Sequence, residues 1–497
     1  MITTLNCAER PHGIGAVVPA WLASNHGRKR LAYPVSLLLR VLRGSIFFLL
    51  LLSAPPAEAA TKPVHYGLFG NVHVAAPAGT PKRTVVFLSD ARGWDARAEA
   101  FASALSDDGT LVLGVDLPAY LKQMLSINDK CSLPAAHIEE MSHWMLRNQQ
   151  LKDFSNPVLV GDGAGATFAY AVDAQAPKGT FAALVTLGFD FSFRLPKPVC
   201  GGDAGKVSAP DDDGTFRIRP VKALPNPWLP LVLAALPGET LGSAQQAIRS
   251  IEKRTMGMSD APAPGAGLPA AIDWLTTPAT VAPPLPADIA DLPLIEVAPQ
   301  GAPVERIAII LTGDGGWAGL DIAVADQLAK RGIAVVGLSS VKYFWQTRKP
   351  EEAADALTRI IGHYGAARPQ ADFVVIGYSF GAALSPVLID RLPPAAHDRV
   401  AAQVLISPDP EAVFEIHVGD WFGSTQHEGA IPILPEIGRT TVPVICVHGA
   451  DEGADSFCAQ LAGKPNVRQL ELPGGHHYNG DYDRLGAGIA GILPPRR

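Results

Sequence analysis

Apolar residues in the second half of the chain form short continuous runs, and stretches with a helical pattern separate these runs. The runs cover residues 307–311, 334–338, 373–376, 402–406 and 442–447, and residues 292–297 before them have the pattern of a first strand. Continuous apolar runs of this length are typical of parallel strands that are buried on both faces. Residues 320–331 and 350–364 carry the helical pattern. The alternation predicts an α/β domain with a mostly parallel, doubly wound sheet.

The first 60 residues have the organisation of a targeting segment. Arg40 and Arg43 precede an apolar run at residues 46–52, and Ala57-Glu58-Ala59 then supplies the small residues of a cleavage site. The apolar run is too short to span a bilayer. We therefore expect residues 1–60 to be a signal peptide that is cleaved near Ala60, so that the mature protein is exported. An uncleaved interfacial anchor is the alternative.

The chain also contains an internal repeat. The spacing that separates Trp94 from Trp317 also separates three other identical pairs, Leu105 and Leu328, Gly114 and Gly337, and Tyr120 and Tyr343. We therefore predict two tandem domains of one fold, at residues 61–259 and 289–497. Residues 260–288 between them are rich in alanine and proline, a composition that favours an extended, semi-rigid linker.

Residues 377–381 read Gly-Tyr-Ser-Phe-Gly, directly after an apolar run and before a helix-compatible stretch. Strand, G-x-S-x-G and helix together form the nucleophile elbow of α/β-hydrolases, in which a sharp turn lifts the serine hydroxyl above the sheet edge. Ser379 is therefore the candidate nucleophile. A glycine-rich turn without a chemical role is the alternative.

The first repeat lacks this serine. Its corresponding residues 161–165 read Gly-Asp-Gly-Ala-Gly, so Gly163 stands at the nucleophile position and supplies no hydroxyl. The segment also lacks the third glycine of a dinucleotide-binding fingerprint. We predict a degenerate hydrolase-like first domain that serves as a lipid- or partner-binding module or as a packing partner.

A serine nucleophile needs a base and an acid, which follow it in the order Asp or Glu, then His. Asp451 and Glu452 lie in the loop after the run at 442–447, and we favour Asp451. His476 and His477 lie in a glycine-rich loop near the C-terminus, and the spacing favours His477 as the base.

Backbone amides that can bind an oxyanion are expected in two places. Gly315 and Gly316 follow the run at 307–311, and Phe380 follows the nucleophile. A phosphate-binding loop is the rival interpretation of these glycines, but it would need Gly-Lys-Ser or Gly-Lys-Thr, and neither is present. Asp314 and Asp321 add negative charge near this mouth, which suits a substrate with a cationic group.

Residues 343–345 read Tyr-Phe-Trp and lie beside the expected cleft. Packing in the core is the favoured interpretation of this cluster, and a wall that contacts a lipid or acyl chain is the alternative. The residues that we predict to contact substrate are Asp314, Trp317, Asp321, Tyr343 and Tyr378.

The net charge and the number of cysteines limit the function and the compartment of the protein further. The net charge of -7 argues against non-specific binding of nucleic acid. Removal of the leader would leave four cysteines, an even number that fits disulfides in an oxidising compartment. We predict the pairs Cys131–Cys200 and Cys446–Cys458. The sequence has no Cys-x-x-Cys motif and no histidine-rich cluster that would point to a metal, and we expect no cofactor.

Several motifs of the second half, taken together, are long and specific. They are residues 312–321, Tyr343-Phe344-Trp345, the elbow at 377–381, Gly474-Gly475-His476-His477-Tyr478 and Gly480-Asp481-Tyr482. These motifs resemble those of the bacterial virulence proteins VirJ and AcvB. The two-domain layout resembles the longer AcvB form, whereas VirJ is similar to the second domain alone.

The resemblance implies a periplasmic α/β-hydrolase that is linked to virulence and to type IV secretion. AcvB-type proteins are associated with hydrolysis of lysyl-phosphatidylglycerol, so the implied activity is that of a serine esterase on the aminoacyl ester of this lipid. The implied partners are aminoacylated phospholipid at the surface of the inner membrane and components of the secretion system. A general carboxylesterase or thioesterase, and a non-enzymatic periplasmic adaptor of a type IV secretion system, are the alternatives.

Overall fold

The computed structural model describes residues 61–127, 129–200, 208–221, 223–231, 267–277, 285–416 and 429–496. These residues all belong to one compact unit, Glu58–Arg497. The predicted signal peptide lies outside the described residues. Among the described helices, none is both long enough and apolar enough to cross a membrane.

Residues 61–277 contain a seven-stranded sheet and are called the first lobe below. Its strands are β1 Lys62–Tyr66, β2 Gly70–Ala75, β3 Arg83–Leu88, β4 Thr110–Val115, β5 Val158–Asp162, β6 Ala183–Leu187 and β10 Trp228–Leu231. A small antiparallel sheet contains β7 Arg194–Leu195, β8 Ser208–Pro210 and β9 Phe216–Ile218. Its helices include α1 Ala96–Asp107, α2 Leu117–Ser126, α3 Pro134–Asn148, α4 Ala164–Gln175 and α5 Gly267–Thr276.

Residues 285–496 form the second lobe, which also contains a seven-stranded sheet. Its strands are β11 Leu294–Val297, β12 Arg306–Leu311, β13 Ala334–Leu338, β14 Asp372–Tyr378, β15 Val400–Ile406, β18 Val444–Gly449 and β19 Val467–Leu472, with the short pair β16 Glu411–Ala412 and β17 Ile431–Pro432 outside the sheet. Its helices include α6 Gly319–Ala329, α7 Ser340–Tyr343, α8 Pro350–Ala367, α9 Phe380–Asp390, α10 Pro394–His397, α11 Ile433–Arg439 and α12 Tyr482–Ile492.

Six strands have the same order in both sheets, from β2 to β10 in the first and from β11 to β18 in the second, whereas β1 and β19 are additional edge strands. The strand order is β1-β2-β4-β3-β5-β6-β10 in the first lobe and β11-β13-β12-β14-β15-β18-β19 in the second. The strands from β4 to β10 and from β13 to β19 run parallel, and β2 and β11 pair antiparallel at equivalent positions. Buried apolar side chains cover both faces of each sheet. The structure thus confirms two tandem α/β domains with mostly parallel sheets.

The repeated tryptophan and glycine form the same contact in each lobe. A methyl group on Gly114 would come within 2.0 Å of the Trp94 ring, and one on Gly337 within 2.2 Å of the Trp317 ring. Only glycine leaves room for the ring to lie on the strand. The spacing of Trp and Gly that the two repeats share therefore reflects this packing of a tryptophan ring on a strand glycine.

The prediction of an extended linker at residues 260–288 is wrong over α5. Leu268 and Ile272, one helical turn apart, are buried against the sheet of the first lobe, and Asp273 forms an ion pair with Arg83. This apolar spacing outweighs the Ala- and Pro-rich composition because burial of the helix face stabilises the helix. At the end of the same segment, Leu285 already packs against the core of the second lobe.

Both predicted disulfides are present. Cys131 and Cys200 are joined with their Cα atoms 5.0 Å apart, and Cys446 and Cys458 with their Cα atoms 5.7 Å apart. The second disulfide joins β18 to the segment that follows the acid loop at residues 450–455. It therefore fixes both ends of that loop.

Candidate active site

Ser379 lies at the turn between β14 and α9. Its backbone has φ +49° and ψ −114°, a strained conformation for a residue with a side chain. Both glycines of the elbow are required, because a methyl group on Gly377 would come within 2.3 Å of the Gly381 oxygen, and one on Gly381 within 2.2 Å of the Leu311 oxygen. The predicted elbow is present, and it places Ser379 at the carboxyl end of the parallel sheet.

His476 is the histidine that contacts the nucleophile. Its Nε2 lies 3.1 Å from Ser379 Oγ. Burial lowers the pKa of His476 below its usual value, although the nearby Glu452 carboxylate opposes this shift. The imidazole is therefore neutral at neutral pH and able to accept the proton of the serine.

His477, which the spacing favoured, has a different partner. Its Nδ1 lies 3.0 Å from the hydroxyl of Tyr378, and its ring is at 88° to the ring of His476. The geometry thus disagrees with the preference for His477 as the base. The reason is the turn that carries both residues, which directs consecutive side chains to different neighbours.

Glu452 is the carboxylate that acts on His476. Its Oε1 accepts hydrogen bonds from the Gly449 N–H and from Ser407 Oγ, both at 2.8 Å. The side chain of Asp451 is exposed, while its N–H donates to a carbonyl of the histidine loop at 2.9 Å. The geometry therefore disagrees with the preference for Asp451, because its backbone joins the two loops and the carboxylate held inside is that of Glu452.

Ser407 and Tyr478 hold the acid in place, and the sequence analysis missed both. Ser407 Oγ lies 2.8 Å from the Tyr478 hydroxyl as well as 2.8 Å from Glu452. Ser407 directly follows β15, and residues at the carboxyl ends of parallel strands are where sites of open α/β sheets form. That position is the signal that could have identified Ser407.

Two of the three predicted oxyanion donors remain available. The N–H groups of Phe380 and Gly315 meet no acceptor within the described parts of the chain. Unpaired amides are expected in the first turn of a helix, which is where Phe380 lies. The N–H of Gly316, in contrast, donates to the Gly313 oxygen at 3.1 Å, so this predicted donor is engaged in a turn.

The first lobe blocks its equivalent position. Ala164 corresponds to Phe380, and its N–H donates to Asp90 Oδ1 at 2.9 Å. Burial would raise the pKa of Asp90, but hydrogen bonds from backbone amides and a nearby arginine lower it, so the carboxylate is charged. Gly163 keeps the elbow conformation, with φ +54° and ψ −116°. The first lobe therefore keeps the elbow turn but has no serine hydroxyl at position 163, and the N–H of Ala164 is already bonded to Asp90.

Two of the predicted substrate contacts pack against neighbouring residues of the second lobe, and Trp317 is only partly buried. The ring of Trp317 covers Gly337, as described above. Tyr343 is buried, and its hydroxyl donates to the Glu352 oxygen at 3.2 Å. Trp345 is also buried, in agreement with the favoured interpretation of the aromatic cluster as core.

The other three predicted contacts surround the mouth. Tyr378 reaches His477 beside the nucleophile, and the partly exposed Asp314 acts electrostatically on the same histidine, opposing the effects of burial and of His476. Asp321 is only 2% exposed, so it lies beneath the surface and not on the rim. Burial raises the pKa of Asp321 to about 8.

Ser379, His476 and Glu452, with the available backbone amides, provide the groups that nucleophilic acyl transfer needs. The nucleophile follows β14, the acid follows β18 and the base follows β19, so three parallel strands deliver them to one edge of the sheet. Over the described ranges, no group of three or more His, Cys, Asp and Glu residues is arranged to hold a metal ion.

The chain was compared with solved structures, curated proteins and protein families. Three solved structures are similar: Est1E from Butyrivibrio proteoclasticus (14% identity, 40% of this chain and 92% of that chain, TM-score 0.31), an alpha-beta serine hydrolase homologue from Coxiella burnetii (16%, 40% and 91%, 0.29) and XC6422 from Xanthomonas campestris, a serine hydrolase without lid (16%, 44% and 100%, 0.30). No curated protein that was compared matches the chain.

Residues 305–494 match the family of the bacterial virulence protein VirJ. The matched residues lie within the second lobe, which carries the candidate active site.

Proposed function

We propose that this chain is a periplasmic serine hydrolase that cleaves the aminoacyl ester of lysyl-phosphatidylglycerol. The observation that carries the hydrolase assignment is the 3.1 Å contact between Ser379 Oγ and His476 Nε2, on an elbow whose following amide is available. A nucleophile, a base and an oxyanion donor in this arrangement are the requirements of acyl transfer.

In the first half of the reaction, Ser379 Oγ attacks the ester carbonyl and its proton passes to His476 Nε2. The carbonyl oxygen becomes an oxyanion, which the N–H of Phe380 and the N–H of Gly315 stabilise. Glu452 stabilises the imidazolium that forms. The bond to the lipid alcohol then breaks, and His476 protonates the departing oxygen, which leaves an acyl-serine.

In the second half, His476 removes a proton from water as the water attacks the acyl-serine. The same donors stabilise the second oxyanion, and the proton returns to Ser379 Oγ when the amino acid leaves. The partial exposure of Ser379 supports this step, because water must reach the acyl group beside His476.

Three observations support the substrate and the compartment. The acidic groups of Asp314 at the mouth and Asp321 beneath it suit an acyl group that carries ammonium groups, as the lysyl group does. The VirJ match, residues 305–494, includes the nucleophile, the base and the acid. The two disulfides are typical of an oxidising compartment such as the periplasm.

The proposal predicts that Ser379→Ala abolishes consumption of the lipid. Lipids of cells that express the wild type, Ser379→Ala or the control Ser126→Ala should be separated and quantified. Ser126 is an exposed serine of the first lobe whose hydroxyl donates to a backbone oxygen. We expect lysyl-phosphatidylglycerol to be depleted by the wild type and by Ser126→Ala, and to accumulate with Ser379→Ala.

Equal depletion by Ser379→Ala would end the proposal. Unchanged lipid in all strains, together with Ser379-dependent hydrolysis of p-nitrophenyl acetate by the purified protein, would favour a general carboxylesterase. Loss of secretion on deletion of the protein, restored by Ser379→Ala as well as by wild type, would favour a non-enzymatic adaptor.

A further inference from the structure

Helix α3 of the first lobe lies against the catalytic lobe. Three of its residues, Glu139, His143 and Arg147, are spaced four apart and therefore lie along one side of the helix. His143 packs edge-on against the Trp345 ring at 6.5 Å, and the guanidinium of Arg147 lies 4.3 Å from the centre of that ring. This side of α3 faces the second lobe.

Two separate groups of contacts hold the first lobe against the second. At the C-terminal end of α3, Arg147 donates to the Ile416 oxygen at 2.8 Å, and Trp345 Nε1 donates to the Leu151 oxygen at 2.8 Å. Farther along the lobe boundary, the turn at residues 177–179 packs on residues 317–319, where a methyl group on Gly319 would come within 3.0 Å of Pro177. The second group of contacts directly follows the oxyanion loop, residues 313–316, in the chain.

Glu139 reaches this loop. A methyl group on Gly315 would lie 3.4 Å from Glu139 Oε1, so the carboxyl group is in contact distance of the predicted oxyanion loop. Burial raises the pKa of Glu139 to about 8, and the charge of Asp314 adds to the shift. The first lobe therefore supplies a carboxyl group to the mouth of the second.

A second carboxyl group lies beneath the same mouth. Asp321 is 2% exposed, and its Oδ1 has no hydrogen-bond partner within the described residues. Asp321 acts electrostatically on Tyr378 and Tyr482, and Glu139 acts on the same Tyr482. Neither Glu139 nor Asp321 forms an ion pair among the described residues. Burial of a carboxylate without a cation is unfavourable, because the charge loses its hydration. A bound ammonium group would offset that cost.

We propose that Glu139 of the catalytically inactive lobe, with Asp314 and Asp321, binds the side-chain ammonium group of the acyl substrate and selects for a cationic acyl group. Glu139 is a specificity-determining residue on this proposal, and the two lobes form one substrate site. The inference rests on the proposed hydrolase function for its substrate class. It explains why a lobe without a nucleophile is packed against the active one.

The test uses esters that differ only in charge. Hydrolysis of the p-nitrophenyl esters of L-lysine, L-norleucine and hexanoic acid by the purified full chain should be compared, because norleucine lacks only the side-chain ammonium group and hexanoate has none. Glu139→Gln removes the charge but keeps the shape of the protonated acid. Glu140→Gln is the matched control. Glu140 is the next residue on α3, and its carboxylate accepts a hydrogen bond from the Tyr66 hydroxyl inside the first lobe.

We expect Glu139→Gln to lower kcat/KM for the lysyl ester about tenfold, mainly through KM, as the loss of one charge-assisted contact. We expect a change of less than about twofold for hexanoate, and Glu139→Asp should restore most of the preference for the lysyl ester. Equal losses on all three esters, or an unchanged preference for lysyl over norleucyl in Glu139→Gln, would overturn the inference.

Binding separates this inference from the hydrolase proposal. Calorimetric titration of Ser379→Ala protein with L-lysinamide and L-norleucinamide needs no turnover. Preferential binding of lysinamide that Glu139→Gln removes would support the cation site even if no ester were cleaved. The absence of that preference would overturn it even if Ser379-dependent hydrolysis were observed.

Discussion

The two adjacent histidines illustrate how the site is determined at the scale of single residues. His476 and His477 share the same loop, yet one contacts the nucleophile and the other contacts Tyr378. The sequence could identify the pair, because a late glycine-rich loop with histidine is where the base belongs. It could not choose between them, since the choice depends on the backbone torsions of the turn.

The same limit applies to the acid. Asp451 and Glu452 could be identified because they follow a late strand. Only the hydrogen bond from the Gly449 N–H to Glu452 shows which of the two carboxylates turns inward. The predicted substrate contacts Trp317 and Tyr343 stay predictions, because an aromatic residue beside a cleft and one beneath it have the same appearance in a sequence.

The geometry predicts unequal effects for the two histidines. We expect His476→Ala to lower kcat/KM for p-nitrophenyl acetate by about 10²–10⁴-fold, because Ser379 loses its general base. His477→Ala is the control and should change kcat/KM by less than about tenfold, because only a contact with Tyr378 is lost. Steady-state kinetics of the purified variants would check this. A larger loss for His477→Ala would reverse the assignment.

At the scale of elements, the hydrophobic pattern was a reliable guide to the strands. All five continuous apolar runs correspond to strands of the second sheet, because a strand that is buried on both faces must be apolar throughout. The expected first strand is also present as the edge strand β11, although it carries the exposed Glu296. Composition was a poorer guide. The Ala- and Pro-rich segment contains α5, whose residues Leu268 and Ile272 pack on the first lobe. Short amphipathic spacing, not overall composition, carried that information.

The disulfides lead to a prediction at this scale, because one of them encloses the acid loop and the other does not. We expect removal of Cys446–Cys458 by paired alanine substitutions to destabilise the protein by about 3 kcal/mol and to lower kcat/KM, since Glu452 lies inside the closed loop. Removal of Cys131–Cys200 should cost about 4 kcal/mol, because its loop is longer, but should leave kcat/KM nearly unchanged.

Chemical denaturation and ester hydrolysis below the unfolding transition would measure the two effects separately. Both disulfide variants should be assayed at the same fraction of folded protein. An equal loss of kcat/KM in the two variants would show that the disulfide at the acid loop contributes only to stability and does not position Glu452.

At the scale of the whole molecule, the two lobes share a core. Val341 and Trp345 of the second lobe belong to the same buried cluster as the residues of the first. The repeat in the sequence predicted two similar domains, but it carried no information about how they meet. The contact of Glu139 with Gly315 joins positions that are far apart in the chain and have no motif in common.

Trp345 therefore offers a test of whether the lobe contact positions the substrate site. Trp345→Ala should lower the melting temperature, because truncation of a buried tryptophan costs about 3–5 kcal/mol. It should also lower the preference for the lysyl over the norleucyl ester, since α3 loses its main support. Trp228→Ala is the matched control: this tryptophan is equally buried, but it lies inside the first lobe, where its Nε1 donates to Thr186. We expect a similar loss of stability with the preference retained. Calorimetry and ester kinetics would check both, and equal effects on preference would mean that the lobe contact serves stability alone.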